Sequence, residues 1–437
     1  MIDLGLLRSK IINSAYDGLF TDPAFQGVFK KHGDLITIQG GGQPPKSKFS
    51  TTQLPGYIRL YQIRDYGDSP QPVYIDEREC SKTTKKGDIL LARYGASLGK
   101  VFIAEDGGYN VALAKVIPKV SEEHLDKKYL YYFYYSHWYR DKIFSISRSA
   151  QNGFNKEELN DIEFPLPPLE EQKRIVAKIE ELFAKIDEID KAQKELKELA
   201  ELAEKKVLDM AVRGELVEQD ETDQSAEQFI SNVKDKIDVA VSKKVIRKKA
   251  VTPMLDADIP YDIPGNWCWE KIGALFAINP KNVGISDNDI VGFVPMTLMD
   301  AGISNHHEYE EKPWKEIKKG FTALQNGDLA IAKITPCFQN RKSGVIQNLP
   351  NGVGGGTTEF HVLRDISHTF DMRYALALVQ TQEFIDYGVS HFSGAVGQQR
   401  VSKEALADYP FPVPPFEEQQ RIGEKIEEYL SLIKTMI

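Results

Sequence analysis

The stretch FPLPPLEEQKRIVAKIEELFAKI, residues 164–186, returns near the C-terminal end as FPVPPFEEQQRIGEKIEEYLSLI, residues 411–433. One chain therefore carries the same helix onset twice, and such self-similarity sets the architecture in which every shorter motif sits. The second half of the repeat is also doubled, but out of order: KKVLDMAVRGEL, residues 205–216, reappears as SKIINSAYDGLF, residues 9–20. Laid on the central copy, the two outer pieces leave only about six positions unmatched. The distal copy is thus split between the two ends of the chain, which predicts that the termini meet in space.

The central copy, residues 164–216, reads as one long helix. Ile175, Ile179, Leu182, Ile186, Ile189, Leu196, Ala200, Ala203, Val207 and Met210 alternate three- and four-residue steps, with Gln193 the polar member of the stripe. Pro167 and Pro168 precede the first turn, Glu170 and Glu171 put negative charge at the positive end of the helix dipole, and Gly214 supplies a left-handed stop. About 44 residues at 1.5 Å each span roughly 65 Å. The distal copy, residues 411–437 and 1–20, repeats the seam at Ile422, Ile426, Tyr429 and Ile433, then at Leu4, Leu7 and Ile11. A one-sided stripe needs a partner, and the other copy supplies one, predicting a long antiparallel two-helix coiled coil with pseudo-twofold symmetry.

Between the frame pieces lie two heads, residues 21–163 and 261–410, each of ordinary domain size. KKGDILLARYGASLGKVFI, residues 85–103, parallels QNGDLAIAKITPCFQNRKSGVI, residues 325–346. Each has a Gly-Asp turn, a short apolar strand, a basic residue at its end (Arg93, Lys333) and a loop. QNGFNKEELNDIEFPLPP from Gln151 matches QQRVSKEALADYPFPVPP from Gln398. Runs rich in Ile, Val, Tyr and Thr, broken by Gly and Pro, point to an α+β class with much twisted sheet, and to two related heads. Residues 217–260 are polar and poor in aromatics and read as a linker, with a helix around 225–237 and a basic run at 243–249.

A net charge of −9 gives no overall electrostatic argument for nucleic acid, but the Glu-rich helix contributes much of it and masks local basic surface. Cys80, Cys268 and Cys337 are isolated, with neither disulfide-framework nor metal-ligand spacing, and no leader or membrane-length apolar run is evident. A reducing cytoplasm fits best. Catalytic motifs are missing. GASLGK, residues 95–100, is one residue short of a phosphate-binding loop and lacks the following Ser or Thr, so Lys100 reads as a loop residue. Asn279-Pro280-Lys281 reads as a turn. His306 and His307 have no third ligand nearby, and neighbours on a strand point to opposite faces. The aromatic run over residues 129–139 has helical spacing and reads as core.

The doubled P-x-PP-x-EEQ-x-RI onset, the long helix ending in A-x-RGELV, the polar linker and the PGNW opening of the second head (Pro264, Gly265, Asn266, Trp267) together resemble the specificity subunit of type I restriction-modification systems. The resemblance covers essentially the whole chain, and it departs in the first head, which lacks the Trp that opens the second. It implies two target-recognition domains, each reading one half of a bipartite duplex DNA target. It also implies a helical frame that sets the spacer and docks a pair of adenine methyltransferase (modification) subunits. The chain would then be a non-catalytic recognition subunit with no cofactor of its own. S-adenosylmethionine, ATP and Mg are expected on partner modification and restriction (endonuclease-translocase) subunits, and no membrane is involved. The alternative is a helical scaffold whose two heads bind other proteins, told apart by salt-sensitive binding to duplex DNA.

Arg and Lys grip guanine, Asn and Gln grip adenine, and all of these with Ser, Thr and Tyr bind phosphate. On that basis Lys46, Lys48, Arg64, Arg93, Tyr94, Arg148, Gln151 and Asn152 are the DNA-contact candidates of the first head, around the glycines at 40–42 and the polar loop before the frame. Those of the second are Lys281, Lys333, Gln339, Asn340, Arg341, Lys342, Gln398, Gln399 and Arg400.

Overall fold

The computed structural model describes residues 3–436 apart from 23, 24, 68, 148–153, 155, 245, 247–250, 283 and 396. Two compact units, Met1–Gln193 and Lys194–Ile437, divide the chain within its longest helix.

The first unit opens with α1 (Leu4–Thr21), followed by β1 (Val28–Lys31), α2 (His32–Leu35), β2 (Ile36–Gly40), β3 (Tyr57–Tyr61), β4 (Tyr74–Asp76) and β5 (Thr83–Thr84). Next come β6 (Ile89–Ala92), β7 (Val101–Ile103), β8 (Gly107–Tyr109), β9 (Leu113–Pro118), α3 (Lys127–Phe133), α4 (His137–Ser147), β10 (Glu163–Leu166) and the start of α5 (Leu169–Val212). Its sheets run β2-β9-β6-β7, β4-β3-β8-β5 and β1-β10, and β3–β8 is a parallel pair.

The second unit takes the rest of α5, then α6 (Ala226–Ser242), β11 (Cys268–Lys271), α7 (Ile272–Leu275), β12 (Ala277–Ile278), β13 (Ile290–Val294), β14 (Glu310–Pro313), α8 (Trp314–Ile317) and β15 (Thr322–Gln325). It continues through β16 (Leu329–Ala332), β17 (Ser343–Val345), β18 (Val353–Gly356), β19 (Phe360–Arg364), α9 (Met372–Gln380), α10 (Gln382–Ser390), α11 (Lys403–Asp408), β20 (Pro410–Val413) and α12 (Phe416–Met436). Its sheets run β12-β19-β16-β17, β14-β13-β18-β15 and β11-β20, with β13–β18 the parallel pair, and a further antiparallel pair of two-residue strands, Phe392–Ser393 with Arg400–Val401, is found in the second head. Strand n of the first head thus has its counterpart in strand n + 10 of the second, and the two heads share one α+β topology.

The same local chemistry builds both. At the Gly-Asp turns, Gly87 (φ 84°) and Gly327 (φ 89°) take a left-handed conformation that a β-carbon disfavours. Asp88 and Asp328 then close the turn by accepting the amides of Lys85 and Gln325 at 2.9 and 2.7 Å. The strands that follow, β6 and β16, are buried along their whole length, which explains their continuous apolar runs.

The doubled EEQ motif is a latch. Gln172 and Gln419 are fully buried. The Gln172 carbonyl accepts the amide of Asp126, the N-cap of α3, at 2.8 Å, while its NH2 donates to the carbonyls of His124 and Pro167. Gln419 likewise accepts from Asp371, the N-cap of α9, and donates to Pro414. Tyr129 and Tyr374 donate their hydroxyls to Pro165 and Pro412, each at 2.8 Å. Phe164 and Phe411, just before the prolines, are wholly buried, which stabilises each by roughly 1.5–3 kcal/mol relative to exposure.

In the first unit α1 runs antiparallel to the opening half of α5. Arg8 pairs with Asp187 and lies over the Phe183 ring, while Ile11 and Ala15 lie beside Ile175 and Ile179. Ile12 and Tyr16 turn the other way into the head, where they are almost fully buried. In the second unit Ile422 and Ile426 share a core with Leu208, Ala211 and Val212, and Tyr429 packs against it. Of the remaining seam positions, Ile179 and Ile186 are buried, and Leu4, Leu7, Leu182, Val207 and Ile433 are half-buried. Ile189 and Leu196 are exposed, at 37% and 40%. The heptad spacing continues through these two, each of which leaves more than a third of its surface open.

The linker expectation also needs correction. Residues 225–242 form a capped helix whose Phe229, Ile230, Val233 and Ile237 are buried in the second unit's core. Phe229 meets Phe370 edge-on at 5.0 Å. The polar composition of the stretch belongs to the outer face of an amphipathic helix, and α6 is part of the second unit. Most of the basic run at 243–249 lies outside the described residues.

Candidate nucleic-acid interface

In the first head the candidates divide by what their side chains already do. Lys48 pairs with Glu79, and Arg64 donates to Gln71 at 3.2 Å. Lys46 is exposed in a short turn beyond the three glycines. Arg93 follows β6 directly, its backbone amide donating to the Ala112 carbonyl at 2.9 Å. Its guanidinium stacks over the ring of Tyr94, 4.9 Å from the centroid, and Tyr94 is 43% exposed. Arg148, Gln151 and Asn152 lie outside the described residues.

In the second head several basic candidates have their donors engaged within the protein. Arg341, at φ 54°, donates Nε to the Gln380 carbonyl at 2.9 Å and a terminal NH2 to Gln382. Lys342 donates to the carbonyls of Met296 and Met299 at 3.0 and 2.8 Å. Arg400 places Nε and Nη2 on the two oxygens of Glu359, at 2.9 and 2.8 Å, and Nη1 on the Gln398 carbonyl. Those hydrogen bonds hold the Glu359 carboxyl below the usual range. Gln339, Asn340, Gln398 and Lys281 are exposed. Lys333 follows β16 as Arg93 follows β6, its amide donating to the Glu359 carbonyl at 2.9 Å. A bridge between Ile334 and Arg400, with Gln399 hydrogen-bonded to Thr335, brings Lys333, Thr335, Gln398 and Gln399 into one segment.

Sequence reasoning did not find Glu359, which is what occupies Arg400, nor the polar cluster behind the PGNW opening. The Trp267 indole donates to Glu418 at 2.8 Å, and Gln219 donates to the other carboxylate oxygen at 2.6 Å. Glu418 is fully buried, and burial pushes its carboxyl up. In the first unit, which has no such tryptophan, the matching Glu171 pairs with Arg174 one turn along the same helix. The missing Trp is thus matched by a different partner for the same glutamate.

The sequence-stretch over residues 129–139 places Tyr129, Phe133, Tyr134 and Tyr139 in the first core. Tyr134 donates to, or accepts from, the buried His32 ring at 2.7 Å. His306 meets Asp300, whereas His307 accepts the Gln347 amide. Among the described residues no group of three His, Cys, Asp or Glu side chains is placed to hold a metal ion, and all three cysteines are free. Among them, too, no helix is long and apolar enough to cross a membrane.

Residues 28–202 and 287–436 match the family model of the type I restriction modification DNA specificity domain. The chain belongs to this family. It is similar to the EcoAI specificity subunit of Escherichia coli, a type I restriction enzyme component, at 37% identity over 227 residues, 52% of this chain and 38% of that protein. The EcoEI specificity subunit of Escherichia coli is 36% identical over 217 residues, 49% of this chain and 36% of that protein. The matched stretch therefore spans little more than a third of each relative. Among solved structures, the HsdS subunit from Thermoanaerobacter tengcongensis superposes with a TM-score of 0.55 at 16% identity, covering 95% of this chain and 91% of that one. A chain from a study of complex assembly and conformational transition in the type I R-M system gives 0.57 at 16%, covering 94% and 92%. At that identity the likeness is one of fold.

Proposed function

We propose that this chain is the DNA-reading subunit of a type I restriction-modification complex, each head reading one half of a bipartite duplex target. The observation that carries the reading is the shared topology of the two heads, each latched by the same buried glutamine to the onset of a long frame helix. Two related heads on one chain do what a symmetric dimer does for a palindromic site: each contacts a short half-site, and the base pairs between go unread. Family membership and relatives named as specificity subunits support the reading. The work of the chain is then recognition, and methyl transfer and cleavage belong to modification and restriction subunits that carry S-adenosylmethionine, ATP and Mg. The frame helices dock the modification subunits and set the spacer.

The test is the methylated motif in DNA from cells that express this chain with a modification subunit. A bipartite adenine-methylated motif that vanishes when the chain is omitted is expected. Purified complex should bind that duplex with an affinity that falls steeply as salt rises, as phosphate neutralisation requires. Salt-insensitive binding with no motif would favour a protein-binding scaffold.

A further inference from the structure

Resting on the DNA-reading function above, one position stands out from the other basic candidates. Arg93 and Lys333 occupy the same place in the shared topology, the first residue past β6 and β16, with the amide bonded to the residue just before β9 and β19. Among the described residues the Arg93 guanidinium has no hydrogen-bond or ion-pair partner. Lys48, Arg64, Arg341, Lys342 and Arg400 all do. Arg93 is nevertheless not loose. It lies against the Tyr94 ring, and a β-carbon at Gly40 would sit 2.8 Å from its Nη1, so the side chain passes directly over a bare glycine. Gly41 has no room for a side chain either, because a β-carbon there would meet the Asn110 carbonyl oxygen at 2.1 Å. A stacked, half-buried guanidinium with all its donors unengaged is a fork oriented before its ligand arrives.

We propose that Arg93 is the residue with which the first head reads a guanine, presenting its fork to O6 and N7 in the major groove. Tyr94 and Gly40 act as its positioning residues. Guanine offers two acceptors at the spacing of two guanidinium N–H groups, the commonest specific pairing in DNA recognition, and no other base edge offers that pair.

The experiment maps the methylated motif of the complete complex, with its modification and restriction subunits, for wild-type chain, Arg93→Ala, Arg93→Lys and Gly40→Ala. The wild-type motif should hold an invariant guanine in one half-site. Arg93→Ala should make that position degenerate, lowering discrimination about ten- to hundredfold, with the other half-site unchanged. Arg93→Lys, which keeps the charge and loses the fork, should broaden the same position less. Gly40→Ala should broaden it with Arg93 still in place, a result that loss of charge cannot produce. If Arg93→Ala proves insoluble, the Lys and Gly40 variants carry the same readout. An unchanged motif in all three variants, uniformly weaker methylation at every site without broadening, or a wild-type motif lacking guanine in both half-sites overturns the assignment. A wild-type complex that yields no motif at all overturns the DNA-reading function itself, an outcome distinct from these.

Discussion

Arg341 illustrates how much a residue's role depends on what else is within reach. By type and loop it is an obvious base-reading candidate, yet its donors go to the Gln380 carbonyl and Gln382, tying the β16–β17 loop to the α9–α10 junction. Hydrogen bonds from a charged group contribute about 1.5–3 kcal/mol, so Arg341→Ala should lower unfolding stability by about that much while leaving the methylated motif unchanged. Urea denaturation beside motif mapping checks both halves of the expectation. Two buried histidines make a second residue-scale prediction. Burial holds His32 and His361 at pKa values of about 4, with smaller contributions from nearby lysines. An unfolded-state histidine titrates near 6.5, so between these values the unfolded chain binds the extra proton. Stability from each is therefore present at neutral pH and lost as pH falls from about 6.5 through 4, by roughly 2 kcal/mol between pH 7 and pH 5. Replacing either with Gln should shrink the pH 7-to-5 drop of its own unit by about that amount, and an unaltered drop contradicts it. None of these partners is legible in sequence, because a donor's occupancy is set by carbonyls such as Gln380 and Met296, tens of residues away.

At the scale of elements, the repeat made the frame readable, because a sequence that must bury the same glutamine and cap the same neighbouring helix twice is constrained twice. Gln172→Ala and Gln419→Ala should each leave a part-buried N-cap amide without its partner and remove a buried side chain that bridges two elements, at a cost of about 1–3 kcal/mol, whereas Glu170→Ala on the exposed face should cost less than about 1 kcal/mol. Hydrogen exchange should localise each loss to α3 and the onset of α5, or to α9 and the onset of α12. Equal loosening of both units by a single change contradicts independent latches. The helix α6 was only partly readable. Its apolar residues Phe229, Ile230, Val233 and Ile237 have helical spacing, but the charged face around them dominates the composition and makes the segment read as connector. At Ile189 and Leu196 the period continues a stripe through positions less buried than Ile179 and Ile186, a difference that spacing alone does not reveal. In α1 the sequence reading placed Ile11 in the seam but missed that Ile12 and Tyr16 face the head, since one helix here serves two neighbours.

For the whole molecule, the two heads were recognisable as copies because Gly-Asp turns, buried strands and proline-bounded helix onsets survive divergence of the loops between them. In the proposed function those loops would carry the reading, and their divergence is what hides them in the sequence. The copying also predicts a division of labour. Base readout is local, so importing residues 21–163 from a relative with a different target should replace one half of the methylated motif and leave the other as it was. The import has to fit the frame it joins. Tyr16 of α1 donates to the Tyr129 carbonyl, Asn13 accepts the His137 amide, and Asp17 accepts the Trp138 indole at 2.7 Å. Heads that keep an asparagine-compatible turn and a donor opposite Asp17 should fold and give a hybrid motif. Heads that lack them should lose about 0.5–1.5 kcal/mol of stability for each of these part-exposed hydrogen bonds, and lose methylation with it. Adding back Trp138 to such a chimera should then restore methylation without altering the new half-site. Motif mapping of the rescued chimera is decisive: a change in both halves means that the heads do not read independently, whereas one exchanged half and one retained half means that each head carries its own recognition.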